Sequence, residues 1–326
     1  MAENFLVKGE FECLEFPRLA NVLDLHYDGP QAFQICEHVS GIGEIEKVND
    51  LPLIIFHTEG DSKYIDISYF QQQGTVIHCN AKISKGKFFN YWAYDYLTHI
   101  KTKGVKTNNT NTFAPKFLCL NGRPDWHRYY TLQRLMDKNL LEHGLVSFLN
   151  RYDQLENDVY YQEFKDRYPH PTVTIDHMRA NKNNLVLDRS NREIHKNDRL
   201  HDSWIYEQTS ISLVTETYPE AERGLFITEK TWKPIANCHL AIYIGQPDTL
   251  QFLRASGFDT FDDILDNTYD TIKDDLSRFE AAYDSLSKYL ASIDNIDKEK
   301  IQKRLSANQE KYLNMSIDHG QVNTWV

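Results

Sequence analysis

Apolar residues along this chain come in two rhythms. Short runs bounded by turn residues predict buried strands: NVLDLHYD (21–28), LPLIIF (51–56), GTVIHCN (74–80), KFLCLNG (116–122), LVSFLN (145–150), SISLVTE (210–216) and HLAIYIG (239–245). Between them stand helical patterns. PQAFQICEHVS (30–40) predicts one helix. PDWHRYYTLQRLMDKNLLEH (124–143) predicts a long one, with Pro124 suited to its first turn and Gly144 to the position just past its end. Further helices are expected near 229–237 and over 247–256. Beyond 271, TIKDDLSRFEAAYDSLSKYL and DKEKIQKRLSANQEKYL are amphipathic with charged outer faces and read as packing elements. Such alternation of strand and helix predicts an α/β fold, with a parallel sheet covered on both faces. Two stretches break the rhythm. KTKGVKTNNTNT (101–112) is polar and lacks periodicity, which makes it the expected linker, and 153–202 is polar without a readable pattern.

Length sharpens this picture. At 326 residues the chain exceeds what one hydrophobic core usually serves, so two domains are expected. A net charge of −11 argues against coating nucleic acid by bulk electrostatics. The five cysteines (Cys13, Cys36, Cys79, Cys119, Cys238) form no CxxC pair and read as buried free thiols of a reducing compartment. The opening MAENFLVKGEFE lacks a signal-peptide pattern, and no window approaches the roughly 20 apolar residues of a membrane span, so a cytoplasmic location is expected. No Asp-x-Asp follows an apolar strand, and the histidines show neither HxxxH nor HExxH spacing. A site without metal or other cofactor is therefore expected, with His57, His78 and Cys79 read as packing residues.

Three places carry candidate chemistry, each at a predicted strand end or the helix start beyond it, where open α/β sheets bind ligands. In GLFITEKTWKPIANCHLAIYIGQP (224–247), Thr228-Glu229-Lys230 opens a helix. Its free backbone N–H groups favour an anion, and Lys230 adds a full charge. Glu229, acceptor-only when ionised, could take hydrogen bonds from two ribose hydroxyls. Ordinary helix capping by Thr228 and Glu229 is the competing explanation. In FLCLNGRPDWHRYYTLQRL (117–135), a strand ends at Asn121, and Arg123 and Arg128 follow with guanidinium groups that match phosphate geometry. The competing explanation makes Arg128 and Arg134 solvated helix positions, with Trp126, Tyr129 and Leu132 supplying the core face. In LPLIIFHTEGDSKY (51–64), an apolar strand runs into Glu59, a strand-end carboxylate able to act as a base, or simply into a turn at Gly60-Asp61.

The segment FITEKTWKPIANCHLAIYIGQPDTL (226–250) resembles the donor-binding signature of the α1,3-fucosyltransferase family, with the likeness running from about 212 to 250. The resemblance implies a glycosyltransferase in which Glu229 holds the donor ribose and Lys230 the diphosphate. It further implies that Asn121 and Arg128, with Arg123 as a neighbour, contact the donor, and that Glu59 deprotonates the acceptor. Where the family carries Phe-Glu-Asn-Ser, this chain has Val214-Thr215-Glu216-Thr217, so that Glu216 stands at a donor-contacting amide position. The run Thr231-Trp232-Lys233-Pro234-Ile235 more closely resembles glycosyltransferase-like proteins of large tailed phages. The two-Rossmann-domain architecture GT-B, with a donor/acceptor cleft between its domains, fits the domain count, linker position and strand-end motifs. It gives an acceptor-side domain over 1–112, a nucleotide-sugar-binding domain over 113–286, and C-terminal helices over 287–326 packing back across the junction.

The expected function is inverting, metal-independent transfer of a sugar from a nucleoside-diphosphate sugar to an acceptor hydroxyl on a glycan or small molecule. Two alternatives stay open. One is a phage-type enzyme modifying hydroxymethylated pyrimidines in DNA, with KISKGK (82–87) as the candidate basic stretch. The other is a non-catalytic protein that binds nucleotide sugars or glycans.

Overall fold

The computed structural model describes residues 6–8, 34–37, 53–57, 75–78, 87–88, 90–103, 105–122, 124–148, 159–168, 171 and 204–315. The chain forms two compact units. One comprises Met1–Gly104, Glu220–Glu229 and Asn314–Val326, and the other Val105–Pro219 and Lys230–Leu313.

The N-terminal unit carries five short strands: β1 (Leu6–Lys8), β2 (Gln34–Glu37), β3 (Leu53–His57), β4 (Thr75–His78) and β5 (Lys87–Phe88). They lie side by side in chain order, all parallel. β3 and β4 fall on the apolar runs at 51–56 and 74–80, whereas the strand expected at 21–28 lies outside the described residues. The helix expected over 30–40 is not formed at its centre. Gln34–Glu37 is instead an inner strand, hydrogen-bonded to β1 on one side and β3 on the other. Pairing on both edges outweighs the helical spacing of Phe33 and Cys36, because backbone bonds to two neighbours decide a four-residue stretch more than its own periodicity. Helix α1 (Tyr91–Lys103) follows and buries Ala93, Tyr94, Tyr96 and Leu97.

The C-terminal unit is built on β6 (Phe117–Asn121), β7 (Gly144–Phe148), β8 (Ile211–Thr215) and β9 (Leu240–Ile244), four parallel strands in the order β7-β6-β8-β9. All four match predicted runs. The sheet is packed between helices. α2 (Trp126–Asp137) turns Tyr129 onto Phe148 of β7, with ring centroids 4.9 Å apart. α3 (Val159–Arg167) adds Tyr161 and Phe164 to the same aromatic cluster. A single helical turn, α4 (Trp204–Glu207), sets Ile205 and Tyr206 against Leu118. α5 (Glu229–Ala236) precedes β9, and α6 (Thr249–Ala255) follows it. The closing helices are α7 (Asp275–Ser292) and α8 (Lys298–Leu313). Tyr312 of α8 stacks on fully buried Trp232 of α5, with centroids 5.4 Å apart.

Two local expectations are revised. The helix predicted to run to 143 stops at Asp137, because Asn139 takes a left-handed conformation (φ 54°) and one short turn, Leu141–His143, leads into β7. Gly144 is therefore the first residue of β7 rather than a helix stop. Its hydrogen is required by close approach, since a Cβ there would sit 2.4 Å from the ring of Phe117. The Asn/Thr-rich stretch is the second case. The division between units falls at Gly104–Val105 within it. Its remainder is fastened to the C-terminal unit rather than loose. Asn111 is buried and donates to the carbonyls of Ser210 and Cys238, while the Asn108 carbonyl accepts from Gln309 of α8.

Candidate functional site

The order β7-β6-β8-β9 reverses the direction of winding between β6 and β8: one crossover carries the chain from β6 to β7, and the next strands extend the sheet the other way. At such a reversal the connections leave the strand ends in opposite directions and open a crevice. Here the backbone pairing is also short. The described ladder between β6 and β8 covers Phe117↔Ile211 and Leu118↔Ser212, at the amino-terminal ends of both strands. At the carboxyl ends the two strands are joined by side chains instead, where Thr215 Oγ1 donates to Asn121 Oδ1 at 2.7 Å. The Asn121 backbone N–H donates to Ser147 Oγ of β7. Asn121, a predicted site residue, thus lies at the switch point and is nearly fully buried.

Glu216 is the next residue after β8 and is 1 % exposed. Its Oε1 accepts from Thr231 Oγ1 at 2.6 Å, and its Oε2 from the Thr217 backbone N–H at 3.2 Å. Its own backbone is held as well, with the N–H donating to the Ile244 carbonyl and the carbonyl oxygen 2.9 Å from His127 Nε2 of α2. Gly245 packs beside it, where a Cβ would lie in ordinary contact with Glu216 Cβ at 3.5 Å. Lys230, in the first turn of α5 and half-buried, reaches back to donate to Thr217 Oγ1 at 3.1 Å. The ammonium therefore lies at the carboxyl end of β8.

Arg128 is not a solvated helix position. It is 1 % exposed and pairs with Asp125 at 2.8 Å, both at the amino-terminal end of α2. Burial pushes the nearby Cys119 thiol up to about 12, although the Asn121 side chain and the Arg128 charge pull the other way. That thiol stays protonated and is no nucleophile at neutral pH. Thr228 and Glu229 are both buried, and Glu229 is the first residue of α5. They belong to the stretch Glu220–Glu229, which groups with the N-terminal unit.

The remaining predicted positions, Glu59 and Arg123, lie outside the described residues, as does most of the basic stretch 82–87. His57 and His78 are register partners at the ends of β3 and β4. Among the described residues, no three His, Cys, Asp or Glu side chains are grouped as a metal ion would need. No helix among them is long and apolar enough to cross a membrane.

Four contributors escaped the sequence reading. The hydroxyls of Thr215, Thr217 and Thr231 contact Asn121, Lys230 and Glu216 respectively, and the only hint was their spacing about the two Thr-Glu pairs, Thr215-Glu216-Thr217 and Thr228-Glu229-Lys230-Thr231. Arg278 of α7 is the fourth. Only 1 % exposed, it donates to the carbonyls of Gly245, the residue after β9, and of Pro219, in the segment that follows β8. Its helix reads as packing, and nothing in the local pattern marks that arginine.

The arrangement brings one ammonium, one buried guanidinium pair, a buried amide and several hydroxyls to one end of a parallel sheet. It is chemistry suited to an oxygen-rich anion with hydroxyl groups. Comparison with protein-family models and with curated proteins finds no match for this chain.

Proposed function

We propose that the chain is a glycosyltransferase that moves a sugar from a nucleoside-diphosphate sugar to an acceptor hydroxyl. The observation that carries this reading is the position of Lys230, hung from Thr217 over the carboxyl end of β8, beside the switch point marked by Asn121 and Thr215. A diphosphate leaving group needs positive charge as its bond to the sugar breaks, and a fixed ammonium near a helix start supplies it without reorganisation. Arg128 is the second cation in this reading, and Glu229 the acceptor of ribose hydroxyl hydrogens. The resemblance of 212–250 to α1,3-fucosyltransferase sequences supports Glu229 and Lys230 in these roles.

Within a GT-B reading, the C-terminal unit is the donor half and the N-terminal unit the acceptor half. Glu59 is the proposed base. It takes the acceptor proton as the acceptor oxygen bonds to the anomeric carbon, while the bond to the diphosphate breaks with inversion. Lys230 and Arg128 take up the leaving-group charge.

Incubating the purified protein with UDP-, GDP-, CDP- and dTDP-sugars and measuring released nucleoside diphosphate tests the proposal. Slow hydrolysis of one donor, persisting with a chelator, is expected. Glu59→Gln should lower acceptor-dependent turnover by a factor of about 100 or more, the range general bases supply, while donor binding persists. A protein that binds a donor yet never cleaves it would be a binding protein instead.

A further inference from the structure

The Glu216 carboxylate has a place in the fold that differs from the one its sequence position suggests. A ligand-contacting acid presents oxygen atoms outward, whereas both oxygens of Glu216 are engaged internally, one by the Thr231 hydroxyl and one by the Thr217 N–H. Those two partners are the immediate neighbours of the cation. Thr231 follows Lys230 in the first turn of α5, and Thr217 is the residue to which Lys230 donates. The backbone of Glu216 is in turn fixed to β9 through Ile244 and to α2 through His127. A buried carboxylate that accepts the Thr231 hydroxyl at 2.6 Å and the Thr217 N–H at 3.2 Å ties one helix turn to one strand end, because stripping a hydrogen bond from a buried oxygen is costly.

We infer that Glu216 is a positioning residue: it clasps the first turn of α5 to the end of β8 and so sets where the Lys230 ammonium stands, without itself touching the ligand. The value of that placement for a donor diphosphate rests on the function proposed above; the clasp itself does not. Glu216 through Thr231 fixes the helix, Glu216 through Thr217 fixes the hydroxyl, and Lys230 bridges the two.

The test reads Lys230 directly. Lysine acylation by a small reagent, followed site by site by mass spectrometry, should proceed about tenfold faster at Lys230 in Thr231→Val than in wild type, as expected when a contact made by a charged group is lost. Thr231→Ser, which keeps the hydroxyl, should restore the wild-type rate. Unchanged labelling in folded Thr231→Val overturns the inference. Should that variant fail to fold, Glu216→Gln, of the same shape but able to keep only one of the two acceptor contacts, carries the same readout. A second arm separates the two levels of the account. If a nucleoside diphosphate binds, Thr231→Val should weaken it in wild type but add nothing in a Lys230→Ala background, since the two act through one group. Additive losses would overturn the clasp. If no nucleotide binds at all, the proposed function fails, while the labelling rates still decide the clasp.

Discussion

Strands β8 and β9 are paired along their whole length and end side by side at Thr215 and Ile244, yet the two ends are finished in opposite ways. Beyond β9 the protein closes on itself. The buried Asp270 carboxylate accepts the backbone N–H groups of Leu250 and Gln251, filling the anion position at the start of α6. The Arg278 guanidinium donates to the carbonyls of Gly245, Pro219, Ile272 and Lys273 and pairs with Asp275. Beyond β8, the carboxylate of Glu216 is likewise turned inward, but the contacts run through Thr217 to a half-buried ammonium, that of Lys230. A parallel strand running toward a helix start is therefore not in itself a site. At β9 the helix start is occupied by the protein's own acid, whereas at β8 a lysine from the start of α5 reaches the strand end.

This contrast can be broken from the closed side first. Arg278→Met should cost about 3–5 kcal/mol in urea denaturation, because several buried carbonyls and Asp275 lose a charged donor together. A loss below about 1 kcal/mol would mean that the β9 end is not held by this arginine.

A second effect comes from the opposite, amino-terminal end of β9. His239 is buried, with Nε2 2.9 Å from the Tyr206 carbonyl and Nδ1 3.1 Å from Ser212 Oγ. Burial lowers its pKa from 6.5 to about 4. The folded state thus binds this proton less readily than the unfolded chain. The contribution is complete above the unfolded value of 6.5 and is lost as pH falls toward about 4, amounting to about 3 kcal/mol. Urea midpoints at pH 7 and pH 5 should show the decline, and His239→Gln should flatten it. A parallel decline in that variant would assign the slope to other groups.

Smaller still is the cap on α6. Asp270→Ala should lose about 1–2 kcal/mol, the worth of a helix cap. Its pH dependence has the opposite sign to that of His239. Burial raises the Asp270 pKa despite its two backbone donors and Arg254. Between the unfolded and the raised folded value the native state holds the proton more tightly, so this contribution falls as pH rises through that window. Asp270→Ala should abolish that slope, and an unaltered slope would contradict the assignment.

How much of this was legible in the sequence depends on which forces decided each part. The strands β6 to β9 fall on the predicted apolar runs, as strands buried inside a parallel sheet do, and the helices α2 and α5 to α8 fall on the predicted helical stretches. Gln34–Glu37 was misread since its pairing partners lie far along the chain, at 6–8 and 53–57, and local periodicity carries no trace of them. Gly144 was read as a helix stop because glycine signals both a stop and a close approach, and only the Phe117 ring decides between them. At the site, Asn121, Glu216 and Lys230 were visible as charged or amide groups at apolar strand ends. What escaped was the carboxylate's inward orientation and the Thr231 hydroxyl and Thr217 N–H that hold it. A buried threonine is as ordinary in composition as an exposed one, and its partners are fixed by tertiary structure alone.

The central claim is that the ammonium beside β8 serves a nucleoside diphosphate, and thermal melting with and without that cation tests it most directly. With UDP, GDP, CDP and dTDP each added to wild type and to Lys230→Ala, at least one should raise the wild-type melting temperature, and its Kd should weaken about tenfold in the variant, the scale of one charge-assisted contact. Wild type unmoved by all four, or a shift of equal size in Lys230→Ala, would contradict it.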